Sequence, residues 1–176
     1  MAGNLIKLDE EIVTSAVASV TLGGSNWDSS YDVYMVQVNN VTPETDNQDL
    51  PLFRVTTSGT PQTDANYDTA AKNIYTFGTF QNATQTNATS IYLTSFYLGN
   101  ATGESMNGTF YLFNFNNASE YSFVTYEMTM VGSSGVAEGK TGGLVKTTTE
   151  ANDGVNFSLP TGNFAGGTFT LYGLKK

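Results

Sequence analysis

The chain has 176 residues, a formal net charge of −9, and neither Cys nor His. That composition removes disulfides, thiolate and imidazole metal ligands, and every nucleophile that relies on a Cys or a His base. One Arg and no basic stripe exclude a protein that tracks a nucleic-acid backbone, and the acidic balance disfavours an anionic membrane surface.

Residues 1–11 read as an N-terminal arm, with Leu5, Ile6 and Leu8 apolar ahead of the acidic run Asp9, Glu10 and Glu11. From residue 12 onward one pattern recurs: a short alternating run rich in Tyr, Phe, Val and Thr, then a break of Gly, Asn, Asp or Pro. Alternation with period two, bounded by turn formers, predicts antiparallel strands. They fall at 12–22, 31–38, 50–57, 74–80, 91–98, 109–115, 122–131, 144–148, 155–159 and 168–174. Residues 58–72 read as a long exposed loop, and 81–89, an Asn/Gln/Thr tract of low complexity, as a solvated connection. The expected fold is all-β: an antiparallel, jelly-roll-like sandwich of about eight or nine strands drawn from these ten runs, filling residues 12–176 as one domain.

Several strands are apolar on both sides. Phe110 and Leu112 lie on one side of 109–115, with Tyr111, Phe113 and Phe115 on the other. In 31–38 the two sides are Tyr31, Val33, Met35 and Tyr34, Val36, Val38. A sheet with one wet face alternates cleanly, so the second apolar face implies cover by loops, by the arm or by another chain. The low charged fraction favours a homo-oligomer, with a trimer among its possible states. Leu5, Ile6, Leu8, Tyr111, Phe113 and Phe115 are therefore the candidate partner contacts.

Motifs that suggest chemistry are weak. Gly139, Lys140 and Thr141 superficially match a phosphate loop, but the spacing from Gly135 is one residue short and Gly142 and Gly143 prevent the helix such a loop requires. Glu44, Asp46 and Asp49, and Asp64 with Asp68, have the oxygen chemistry for Ca²⁺, yet fit no EF-hand and are explained by turn formation. Glu127, within a strand, is expected to pair with Arg54 or a Lys. No cofactor or metal is expected. The first residues carry no secretory-leader pattern and no later run approaches the ~18 apolar residues of a membrane span, so a protein made and kept in a cytoplasm, or leaving it by lysis or assembly, is expected.

Ser19-Val20-Thr21-Leu22, Ser30-Tyr31-Asp32-Val33-Tyr34, Val41-Thr42-Pro43-Glu44-Thr45-Asp46, Leu52-Phe53-Arg54-Val55, Asn66-Tyr67-Asp68 and the terminal Gly166-Gly167-Thr168-Phe169-Thr170-Leu171-Tyr172-Gly173-Leu174-Lys175 occur in this order. Together they resemble a group of small virion proteins of tailed bacteriophages, especially marine and cyanobacterial ones. The resemblance implies a β-sandwich that is structural rather than enzymatic, with no catalytic residues to carry over. It implies a decoration or cement protein on the outside of the head, partnered by the major capsid protein or other virion proteins and assembled in the host cytoplasm. The alternative it implies is a tail-fibre or receptor-binding component that reads host glycan or protein through 58–72 and 81–89.

Overall fold

The computed structural model describes residues 4–175. Among the described residues thirteen strands make two antiparallel sheets, with one short 3-10 turn at Gly24–Asn26. In chain order the strands are β1 Asn4–Val13, β2 Ser19–Gly23, β3 Val33–Pro43, β4 Leu52–Thr57, β5 Thr60–Pro61, β6 Tyr67–Tyr75 and β7 Phe80–Ala88. The rest are β8 Ile91–Tyr92, β9 Ser105–Phe113, β10 Ser122–Val131, β11 Ala137–Lys146, β12 Gly154–Ser158 and β13 Phe164–Lys175. The larger sheet runs β1-β13-β3-β9-β10-β11-β6-β7; the smaller runs β2-β12-β4-β5, with β8 also on β4.

Four nested pairings explain this order. β1 pairs with β13, β2 with β12, β3 with β9 and β4 with β8. A chain wound this way alternates between sheets, placing β1, β13, β3 and β9 in one and β2, β12, β4 and β8 in the other. That is jelly-roll winding. The strand number exceeds the expected eight or nine because of insertions. β10 and β11 follow β9 as a meander, and β6 and β7, inserted between β4 and β8, join them to widen the larger sheet.

The core lies between the sheets. Phe53 of β4, Phe110 of β9 and Phe157 of β12 are fully buried, with ring centroids 5.4–5.6 Å apart in stacked and edge-on contacts. Burying each such ring contributes roughly 1.5–3 kcal/mol. The interior positions of β10 are Ser122, Val124, Tyr126, Met128 and Met130; Phe123, Thr125, Glu127 and Thr129 alternate outward.

β11 departs from the apolar pattern on its inner face, where Glu138, Lys140 and Lys146 are buried. For Glu138 the cause is the irregular segment 93–99, whose backbone polar groups need partners, and each lysine has a partner of its own. The Glu138 carboxylate accepts from the backbone N–H of Ser95 and Phe96. The Lys140 ammonium donates to the Tyr92 carbonyl at 2.7 Å. Lys146 donates to the Thr148 hydroxyl and the Glu150 carboxylate, and its Nζ lies 5.8 Å from the centre of the Tyr67 ring.

Five expectations change. The run 74–80, expected as a strand, spans the turn between β6 and β7, and of 91–98 only Ile91–Tyr92 is a named strand. The described part of the arm, residues 4–11, belongs to β1, a sheet edge paired along its length with β13; residues 1–3 lie outside the described residues. Much of 58–72 is strand, in β5 and β6, because inward Tyr67 and Thr69 pack under β11. Residues 81–89, expected as a connection, form most of β7 through backbone pairing with β6 rather than through an apolar face.

Candidate docking face

Strand register sets out the outer face of the larger sheet in rows. One row runs Val145, Phe123, Phe113, Val33 across β11, β10, β9 and β3. The next runs Thr125, Tyr111, Met35, Tyr172, Lys7 across β10, β9, β3, β13 and β1. A third is polar: Glu127, Thr109, Gln37, Thr170, Glu10. The first row and the Tyr111, Met35 and Tyr172 centre of the second therefore form an apolar band, bordered on one side by a polar row carrying Glu127 and Glu10.

The band is open to solvent. Tyr111 is 40% exposed and Phe123 44%, while Met35, between Tyr111 and Tyr172, is only 5% exposed because its neighbours shield it laterally. Leu5, 51% exposed, extends the band at the β1 edge opposite Leu174. At the polar border Lys7 pairs with Glu10 at 2.9 Å, and the Glu10 carboxylate raises the Lys7 pKa. A hollow of about 410 Å³ lies on the same face, where Gly143 and Ala70 have no side chains long enough to fill the space beside Phe123, Val145 and Thr86.

Of the six candidate contacts, the fold brings Leu5, Tyr111 and Phe113 to this face. Ile6 points the other way, opposite Gly173. Leu8 sits at the β1 register shift and packs against the core. Phe115 is 1% exposed and is a core residue, which corrects its assignment to the outer side. β9 ends at Phe113, and Asn114 takes φ 61°, which breaks the alternation and turns Phe115 inward under Trp27 at 5.8 Å. Asn116 locks that corner: it accepts from the Trp27 indole N–H and donates to the Ser29 and Tyr31 carbonyls and the Tyr34 hydroxyl.

Sequence reasoning missed Phe123 and Tyr172 as members of the band. Phe123 shares its face of β10 with Thr125, Glu127 and Thr129, so its own strand reads as polar outside; only register places it beside Phe113. The other motifs resolve into structural roles. Gly139, Lys140 and Thr141 are mid-strand in β11, and the lysine is buried. Asp49 accepts locally from the backbone N–H of Leu50, whereas Asp46 and Asp68, the latter within β6 rather than a turn, accept from the N–H groups of distant Asn100 and Asn87. Among the described residues no three His, Cys, Asp or Glu side chains gather as a metal cluster. Arg54 donates to the Thr89 carbonyl and the Ser158 hydroxyl in the smaller sheet, away from Glu127. Among the described residues no helix is long and apolar enough to cross a membrane.

No protein-family model matches the chain, and no curated protein matches it.

Proposed function

We propose that the protein is a non-enzymatic structural component of a bacteriophage particle, a decoration protein that binds the outside of the head through the apolar band. The observation that carries this reading is the band itself: aromatic and aliphatic side chains in register across five strands, open to water, with a polar border on one side. A dry centre with a polar rim is the anatomy of a protein interface, and contiguous exposed apolar surface marks an interaction site. The acidic border, Glu10 and Glu127, suits a shell surface with basic groups beside an apolar patch. The resemblance to phage virion proteins supplies the class of partner. Binding only to assembled heads would stabilise them by mass action.

The experiment is reconstitution: purified protein is mixed with heads that lack it, and bound protein is measured by co-sedimentation. Wild type should bind in many copies per head. Tyr111→Asp should bind at least about 30-fold more weakly, the equivalent of losing a contact worth about 2 kcal/mol. Absence of wild-type binding, or full binding by Tyr111→Asp, would overturn the proposal. The tail-fibre alternative depended on 58–72 and 81–89 as free recognition loops, and most of both segments is committed to β5, β6 and β7.

A further inference from the structure

The two edges of the larger sheet are built differently. β1 carries Lys7, Asp9, Glu10 and Glu11 and a register shift between Lys7 and Asp9. Charge and bulges of this kind stop an edge from templating another strand. β7 carries neither charge nor proline over its nine residues, Phe80–Ala88. Phe80 to Gln85 hold unbroken register with Ile74 to Thr69, and the one shift comes later, opposite Asp68. Alternate residues of such an edge present unpaired N–H and C=O groups outward. At its start Phe80 is 66% exposed beside Ile74, 43% exposed.

We propose that β7 is a self-association edge: two copies of this chain pair β7 to β7, antiparallel, about a two-fold axis at Ala83. The two eight-stranded sheets then become one continuous sheet. A perpendicular two-fold axis keeps outward side chains opposite outward side chains, so Asn82 faces Thr84 of the second copy and Phe80 faces its Thr86. Thr86 lines the apolar hollow floored by Ala70 and Gly143. Each Phe80 therefore meets the mouth of the other copy's hollow, and one axis satisfies both contacts.

Two observations select a second copy over a foreign strand. The chain carries a net charge of −9, so copies repel unless the contact strip is uncharged, and β7 is. The projecting ring and the hollow also lie towards opposite ends of the same strand, which is the self-complementarity an isologous contact requires. Such a contact closes at two copies, so the homo-oligomer is a dimer rather than a trimer. This inference rests on the homo-oligomer expectation and not on head binding: a monomer that decorates heads would refute it alone, whereas a dimer that ignores heads would refute only the function.

Sedimentation velocity of the full chain tests it. Wild type should sediment as twice the 18.9 kDa chain, with tighter association as salt screens the like charges. Phe80→Asp and Asn82→Lys, both at exposed positions, should give folded monomers with unchanged circular dichroism, while Tyr111→Asp should remain dimeric. A wild type that is monomeric at every concentration, or a dimer untouched by both β7 substitutions, overturns the proposal. Hydrogen exchange on wild type supplies a readout that needs no variant. Amide protection in β7 should rise with protein concentration, and protection independent of concentration counts against the pairing.

Discussion

Phe110 and Tyr111 are adjacent on β9 yet belong to different environments, which makes them a direct test of the two-faced sheet. Phe110 is fully buried, stacked on Phe53 at 5.4 Å and Tyr126 at 5.9 Å and edge-on to Phe157 at 5.4 Å. Phe110→Ala removes the buried ring and leaves a cavity that the three surrounding rings fill only in part. The expected cost is about 3–5 kcal/mol, or roughly 6–20 °C in Tm for a chain of this size. That is a large share of a total stability of order 5–15 kcal/mol. Tyr111, 40% exposed on the outer band, loses mainly lateral contact with Met35 and Thr125. Tyr111→Ala should cost no more than about 1 kcal/mol. Urea and thermal melts of dilute protein, followed by circular dichroism, separate the two variants, and both should keep the wild-type urea m-value. Equal destabilisation by both substitutions would refute the reasoning, because Tyr111 would then be buried by the chain's own fold.

Two further outcomes concern the polar interior of β11. Burial holds the Lys140 amine below its usual pKa, against the opposing influence of Glu138. The unfolded chain therefore binds that proton more tightly, so stability should rise as pH climbs from the folded pKa towards the ordinary lysine value; Lys140→Met should flatten this alkaline rise in urea melts, and an unchanged slope would contradict it. Lys146 is 1% exposed and paired with Glu150, whose side chain is 30% exposed. Glu150→Gln should cost about 1–3 kcal/mol, less than for a fully buried pair because water partly screens the carboxylate. A variant melting with wild type would show that the Thr148 hydroxyl and the Tyr67 ring suffice for the ammonium.

Much of the fold was legible because its cause is local. Period-two alternation depends only on which side of a pleated backbone each side chain occupies, so 122–131 coincides with β10, and Phe110 and Leu112 face the core as the pattern requires. Legibility failed where burial was not the cause. β7 is exposed along most of its length and exists through hydrogen bonds to β6, so Asn, Gln and Thr without an apolar face read as a connection. Phe115 was misplaced because Asn114 resets the alternation, and nothing in the strand pattern marks that residue as left-handed.

By itself, then, the order of residues determined the all-β class, the doubly apolar strands and the absence of Cys and His chemistry. These depend on side-chain type and on neighbours one or two residues away. The tertiary structure alone decided which strands meet. Phe123 and Phe113 join one band through the β9–β10 register, Met35 and Tyr172 through β3 and β13, and the inserted β6–β7 hairpin docks on β11 to leave a bare edge. Partners distant in sequence are chosen by the winding of the whole chain, because hydrogen-bonding groups are alike on every strand and only the assembled core selects among the pairings.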